Sequence, residues 1–439
     1  MVDLKTRVAG LELKNPIISA AGPNTKNYLM VKKGIDAGCA AVVVRGLHLK
    51  KLGEKPAPIR EFWNIYHSGK TFKQGLYSFQ SASVNASQVC RQVPLGIGGR
   101  ALRPSLKEWT KEVKKMVQYA HKYNSFIIAS IGWCGDYFSS EDLWKAEATA
   151  MIEAGVDALE LHTGPCPTIE PGRYIQANVE KYLKYPIKIV KEITDLPLFV
   201  KLPVDCCDVI SLAQIAQTAG ADAVVPAARW MSLNVDVTSC KTPIWPGFMG
   251  YGGNWSVPIL SAYIYRMRKR KPGTERLSWD SSFYEGKYYR KVTIPIIASG
   301  GVTCGDDVVK YILVGANAVE ICTHILIEGY SVIQRILREI TEWMQRKGYH
   351  SLEDFFNIAH LTKSDQMNKN YQPVAVVDEN LCNGCGKCID PCTNKAIDIS
   401  KQIGKARIST GKCEGCGTCY YICSQGAIIL KISKEGVDE

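Results

Sequence analysis

Between residue 15 and about residue 345 the chain alternates short β-branched or apolar runs with longer amphipathic stretches, the pattern of βα units and a parallel sheet. The runs that read as strands are NPIISAA (15–21), AAVVVRG (40–46), FIIASIG (126–132), ALELHTG (158–164), PLFVKLP (197–203), AVVPAAR (223–229), PIIASGG (295–301) and AVEICTH (318–324). Between them lie helical stretches such as SSEDLWKAEATAMIEAG, NVEKYLKYPIKIVKEI, DVISLAQIAQTAG and DDVVKYILVGA, several opened by a capping or acidic residue and closed by glycine. Eight strands with intervening helices predict an α/β fold of the closed (β/α)8 TIM-barrel kind rather than an open doubly wound sheet.

Two segments exceed the usual loop length, 47–103 and 231–292, and insertions of that size in a barrel build lids or interfaces. The second contains a basic run, RMRKRKPGTER, that reads as a solvated face or a partner contact, because no aromatic-interleaved basic stripe accompanies it. A polar stretch, HLTKSDQMNKNYQP, separates the barrel from a shorter carboxyl-terminal portion. The expected division is a barrel over 1–350, a linker over 351–373 and a small α+β domain over 374–439. At 439 residues, 46% hydrophobic and 22% charged, the chain is long enough for such a core and too ordinary in composition to be disordered. No stretch has the apolar length of a membrane span, and the first residues, MVDLKTRVAGLELKN, carry charges where a signal peptide needs an apolar run. A cytoplasmic address is expected. The net charge of +12 suits an anionic substrate, an acidic protein or nucleic acid, and does not choose among them.

Eight of the seventeen cysteines fall in the last 60 or so residues, as Cys382-x2-Cys385-x2-Cys388-x3-Cys392 and Cys413-x2-Cys416-x2-Cys419-x3-Cys423. This doubled run is the two-cluster [4Fe–4S] ferredoxin pattern, in which three close thiolates hold one cubane and the fourth crosses to the other. One cluster then uses Cys382, Cys385, Cys388 and Cys423, and the other Cys413, Cys416, Cys419 and Cys392. Zinc knuckles would show paired CxxC units or histidines instead. The residue after each fourth cysteine, commonly proline, is here Thr393 or Ser424. That change bears on hydrogen bonding to sulfur and hence on potential, not on ligation.

Two such clusters move electrons singly, and a flavin is the economical partner that turns single electrons into a hydride. A flavin phosphate needs backbone N–H groups. ASGGVTCGDDVVKYILVGANAVEICTH places Gly300 and Gly301 after the seventh strand and Cys322 and Thr323 after the eighth, where (β/α)8 enzymes hold phosphate. Lys201 stands in an apolar strand, FVKLP, where a lysine is costly unless paired; at the strand's carboxyl end its ammonium suits the flavin N1/O2 edge. A glycine-rich dinucleotide fingerprint is lacking: PLGIGGR (94–100) is followed by neither a helix nor a suitably placed acid.

These segments resemble the dihydroorotate dehydrogenase superfamily, most closely the FMN barrel plus carboxyl-terminal ferredoxin part of dihydropyrimidine dehydrogenase. NPIISAAGP is similar to the family's first strand, DALELHTGPCP to its "ELNLSCP" segment, LFVKLP to its flavin-lysine strand, GYGGNWS to its glycine turn, and IIASGGV…VEICT to its phosphate site. The resemblance implies FMN held by Ala20, Ala21, Arg45, Lys201, Gly252, Gly253, Gly300, Gly301, Cys322 and Thr323. It implies that Cys166 is the acid/base thiol, donating a proton opposite the hydride; with an ordinary pKa of about 8.5 such a thiol stays protonated near neutrality. It also implies a small-molecule substrate, an electron-donating flavoprotein subunit or ferredoxin, and a homodimer or hetero-oligomer. Neither nucleic acid nor membrane is an expected partner.

The departures concern the substrate. The family's substrate-gripping asparagine corresponds to His162, a second asparagine to Ala228 with Arg229 beside it, and a flavin-contacting lysine to Arg45. Amides read a pyrimidine because they both donate and accept, which His, Ala and Arg do not reproduce. The expectation is therefore an oxidoreductase acting on a C=C bond conjugated to a carbonyl in a ring other than uracil, thymine or orotate, met by His162 or Arg229, with His162 as an alternative proton donor. Asn178, Asn234 and Asn254 are polar groups that take over if the register slips. The competing readings are a plain dihydropyrimidine dehydrogenase catalytic subunit, a dihydrouridine-synthase-like RNA enzyme, which the cluster tail disfavours, and a silent electron-transfer subunit.

Overall fold

Each of the eight expected runs supplies one strand of a parallel sheet in the computed structural model, which describes residues 2–47, 59–67, 77–85, 105–132, 140–163, 180–204, 208–227, 230–233, 235, 237–241, 248–269, 291–360 and 372–433. The strands are β1 (Ile17–Ser19), β2 (Ala41–Val44), β3 (Phe126–Ile131), β4 (Ala158–His162), β5 (Leu198–Lys201), β6 (Ala223–Val225), β7 (Ile297–Ser299) and β8 (Ala318–Ile321). Neighbours pair in sequence order, and β8 pairs with β1. A parallel bridge between Val224 and Ile296, with the Val224 N–H donating to Pro295 O at 3.0 Å, joins β6 to β7. The sheet is thus closed into the expected barrel.

Side chains alternate across a strand, so each strand has one inward and one outward set. Outward residues such as Val42, Val44, Ile127, Leu159, Leu161, Val200 and Val319 meet the helices in the main core. The inward set begins with Ile18, Ala41, Val43, Ile128, Ala158, Phe199, Ala223, Ile297 and Ala318. Val8 and Leu13 pack onto these from an antiparallel hairpin, Thr6–Val8 with Leu11–Leu13, at the end where the strands start. Continuing along the inward period toward the strands' carboxyl ends gives Ser130, Glu160, His162, Lys201, Ser299, Glu320 and Cys322. The apolar interior therefore becomes polar toward the mouth.

The helices are α1 (Tyr28–Asp36), α2 (Leu106–Lys122), α3 (Glu141–Glu153), α4 (Tyr185–Lys191), α5 (Val209–Ala219), α6 (Ser256–Lys269), α7 (Gly305–Leu313) and α8 (Ser331–Lys347). Their starts follow the capping chemistry legible in sequence: Ser105 and Glu108 form a capping box on α2, and Asp208 accepts from the Ile210 and Ser211 N–H groups on α5. On α8 one stripe, Val332, Ile333, Ile336, Ile340 and Met344, is buried, each side chain contributing about 1.5–3 kcal/mol relative to exposure.

The two long insertions meet. Ile59–His67 and Tyr77–Asn85 from the first, and Trp230–Leu233 and Phe248–Gly253 from the second, build a four-stranded antiparallel sheet in which Phe248–Gly253 pairs with Tyr77–Asn85. The basic run departs from expectation. Arg268 is buried, its guanidinium donating to Gly315 O, Val292 O, Ile294 O and Asn317 Oδ1, so it ties α6 to the ends of two barrel segments instead of facing solvent. Residues 270–290 of that segment lie outside the described residues.

The chain divides into two compact units, Met1–Ala359 and His360–Glu439. The linker expected from 351 is shorter at its start: Asp3 pairs with Ser351, and Leu352 and Phe355 are buried, so these residues belong to the first unit. In the second unit Gln372–Val377 pairs with Ile428–Ser433 and Ile397–Ile399 with Ala406–Ile408, both antiparallel. The stretches that follow the two cysteine runs, NKAIDIS and SQGAIIL, thus each supply a strand to one of these two ladders. Among the described residues no helix is long and apolar enough to cross a membrane.

Candidate functional site

At the carboxyl ends of β7 and β8 three stretches of nearly bare backbone come together. Gly300 and Gly301 have positive φ, 123° and 75°, a region that glycine enters without strain. A Cβ on Gly301 would lie 2.6 Å from Ser256 Oγ, 2.8 Å from Val257 Cγ2 and 2.9 Å from Gly253 O, and one on Gly252 would lie 3.8 Å from Thr323 Oγ1. The GYGG, SGG and CT segments singled out in sequence therefore share one place. Asn254 pins the turn: its amide donates to Gly301 O at 3.0 Å and to Asp307 Oδ2 at 2.9 Å. That use takes the Asn254 amide away from the substrate role considered for it.

Two helix starts point this way, and they differ. At α7 the carboxylates are already in place, Asp307 accepting from the Thr303 N–H and Glu339 from the Gly305 N–H. The short helix Thr323–Glu328 has no side-chain cap bond and no acid in its first turn. Glycine backbone from two segments, the Thr323 hydroxyl and an uncapped helix start are a donor set suited to a phosphate, and the residues present fit the FMN tail. On this basis Gly301→Ala, which forces both positive φ and the contacts above, is expected to weaken FMN binding at least about tenfold, or ~1.4 kcal/mol; fluorescence titration of the flavin-stripped protein reads this directly.

Across the mouth, the Ala20 N–H donates to Ile321 O, and a Cβ on Gly22 would meet Cys322 Sγ at 2.6 Å. Cys322 donates to Asn24 Oδ1 at 3.0 Å, and burial pushes its thiol up to about 12, so it is neutral at ordinary pH. The Arg45 charge is felt at both Lys26 and Cys322. Ala20, Arg45, Cys322 and Thr323 thus border one region, with Ala21 partly exposed beside Ala20.

Beneath it lies the group that sequence reading missed. Lys201 points into the barrel, where its ammonium donates to Glu160 Oε1 and Oε2, each at 3.2 Å, and to Glu320 Oε2 at 2.5 Å. Burial alone pulls the lysine down, but the two carboxyls outweigh it and hold the ammonium above its ordinary value. Burial and the neighbouring Glu320 push Glu160 well above the carboxyl range, whereas Lys201 and hydrogen bonds from Glu160 and Ser299 outweigh burial to hold Glu320 below it. His162 stands in register with Lys201 on the adjacent strand. The signal for the two acids was available: a buried lysine demands partners, and ALELH and AVEI each put a glutamate at an inward position. Cys166, Arg229, Asn178 and Asn234 lie outside the described residues.

In the second unit the cysteines fall into two groups. The Cys388 thiol feels those of Cys382, Cys385 and Cys423, while Cys392, Cys413, Cys416 and Cys419 line one cavity. Main-chain N–H groups donate to sulfur: Ala396 to Cys392 and Ala427 to Cys423 at 3.3 Å, Ala406 to Cys382 at 3.4 Å and Ala375 to Cys413 at 3.5 Å. The same offset after Cys392 and Cys423 reflects the internal repeat. Two sets of four thiols, with N–H donors to sulfur, fit two [4Fe–4S] clusters.

Comparison with known proteins gives the same division. A model described as dihydroorotate dehydrogenase matches residues 286–344, and one described as a 4Fe-4S dicluster domain matches residues 375–424. Over 359 residues, 81% of this chain and 98% of its own length, the dihydroorotate dehydrogenase B (NAD(+)) catalytic subunit of Methanocaldococcus jannaschii is 26% identical. The protein of the same description from Thermoplasma acidophilum is 23% identical over 82% of this chain and 99% of its own. The chloroplastic dihydropyrimidine dehydrogenase (NADP(+)) of Arabidopsis thaliana is 24% identical over 80% of this chain and 76% of its own.

Proposed function

We propose that this chain, similar over most of its length to dihydroorotate and dihydropyrimidine dehydrogenases and matched at its carboxyl end by a 4Fe-4S dicluster model, is an FMN- and iron–sulfur-dependent oxidoreductase that reduces, or forms, a C=C bond conjugated to a carbonyl in a small cyclic compound that is not a pyrimidine. The observation that carries this reading is the replacement of a substrate-gripping amide by His162, held in register with Lys201 at the mouth. FMN, when bound, supplies or accepts the hydride. The chain does the rest. Lys201 places a positive charge where the reduced ring gathers negative charge, and the glycine turns and Thr323 hold the phosphate. Cys166 holds a proton for the carbon next to the one that exchanges hydride. His162 and Arg229 meet the carbonyl or an anionic substituent.

The eight tail cysteines hold the clusters through which electrons arrive. A separate electron-transfer subunit is the proposed donor, in keeping with the word "subunit" in the descriptions of the archaeal relatives. Those relatives also favour one second reading, in which dihydroorotate or a simple pyrimidine is the substrate with rearranged contacts.

The test is anaerobic: the chemically reduced protein is mixed with uracil, thymine, orotate and a panel of cyclic enones and unsaturated lactones while flavin absorbance is monitored. Reoxidation by members of the panel and not by the pyrimidines is expected; rapid reoxidation by a pyrimidine establishes the second reading. Cys166→Ser is expected to slow the productive reaction by about 10²–10⁴-fold, with His162→Asn acting mainly on KM. The reverse pattern assigns the proton to His162.

A further inference from the structure

The role given to Lys201 leaves unexplained why two acids, rather than one, surround it. Glu160 on β4 and Glu320 on β8 are both buried, and each accepts from the Lys201 ammonium. One ammonium balances one carboxylate, and a second ionised carboxylate buried beside it would carry an uncompensated charge, so one of the two acids keeps its proton. Glu320 Oε1 has no hydrogen-bond partner among the described residues, and Glu160 is the acid whose affinity for a proton is raised by burial and by Glu320. The triad therefore comprises an ammonium, a carboxylate and a carboxylic acid, and is neutral. The other groups near it are the Ser299 hydroxyl on Glu320, the neutral Cys322 thiol, His162 in register with Lys201, and Arg45, whose charge reaches Cys322.

We propose that Glu160 and Glu320 are a redox-linked proton site: the pair holds a single proton while FMN is oxidised and takes up a second, at Glu320, when FMN is reduced. Negative charge arriving at the mouth draws the Lys201 ammonium toward itself. Lys201 is also what keeps Glu320 ionised, so weakening that contact raises the carboxylate's affinity for a proton. The electrons go to the flavin from the reductant, the added proton comes from water, and the only bond the pair makes is O–H on Glu320. The triad passes from neutral to a single positive charge, offsetting the charge above it. This inference rests on the flavin reading of the barrel mouth.

Reduced-minus-oxidised infrared difference spectra of the holoprotein, with dithionite as reductant and in both H2O and D2O, test it. A carboxylic-acid carbonyl band is expected to grow on reduction, to shift in D2O and to be lost in Glu320→Gln. With a pH indicator in weakly buffered solution, the wild type is expected to take up more protons per flavin than Glu320→Gln. No carboxylic-acid change in the wild type, or a band that persists unaltered in both Glu320→Gln and Glu160→Gln, overturns the proposal. The wild-type spectrum decides even where a variant does not fold. Failure of the flavin reading is distinct: no FMN is released into solution when the purified protein is denatured.

Discussion

Lys201→Met is expected to lower the stability of the barrel by about 3–5 kcal/mol, because removing one member of a buried ion pair strands the other's charge. Here the Glu320 carboxylate is left beside the protonated Glu160, and both side chains are wholly shielded from water. Urea unfolding read by tryptophan fluorescence should show a lower midpoint, and the purified variant should retain little flavin. The second substitution sharpens the test. Lys201→Met combined with Glu320→Gln is expected to recover part of the loss, since a single carboxyl can stay neutral by holding a proton. Strictly additive losses would mean that the residues do not interact, and an unchanged midpoint in Lys201→Met would contradict the pairing altogether.

Removal of iron is expected to unfold the second unit and leave the barrel folded. The buried core of that unit consists of only Ala375, Cys388, Ile397, Ala406, Cys419 and Ile428, with Val377, Ile389, Ile399, Ile408 and four more cysteines partly buried against it. Small alanines and metal-ligating sulfurs supply little apolar area, and a unit of that size without a substantial core depends on its metal for folding free energy. Hydrogen exchange read by mass spectrometry separates the two units within one sample. After anaerobic chelation, amides in 372–433 should exchange at rates close to those of an unfolded chain, while those of β3 and α8 keep their protection. Protection that survives chelation in 372–433 would show that the ladders stand without clusters.

The strands of the barrel were legible because each is a short apolar run bounded by glycine, proline or a capping residue, and because their spacing leaves room for a helix. The cysteine run was legible because ligand spacing is itself the chemistry. The Glu160–Lys201–Glu320 triad was legible only in its parts, a buried lysine and two inward glutamates; their meeting was not, since β5 and β8 come to face one another only when the sheet closes and no local window contains both Lys201 and Glu320. The antiparallel sheet escaped for a related reason: Phe248–Gly253 pairs with Tyr77–Asn85, and a glycine-rich stretch and a serine-rich one, far apart in sequence, do not announce each other as partners. Arg268 reads as one of several clustered cations, and only the carbonyls of Val292, Ile294 and Gly315 closing around it reveal a structural role.

The amino-terminal hairpin has a consequence for traffic into this molecule. Among the described residues, Val8 and Leu13 close the end of the barrel where its strands start, so the buried acids are approached from the mouth. Whatever occupies the rim therefore meters hydration below it, so that loading the rim and charging the interior are steps of one sequence rather than independent events.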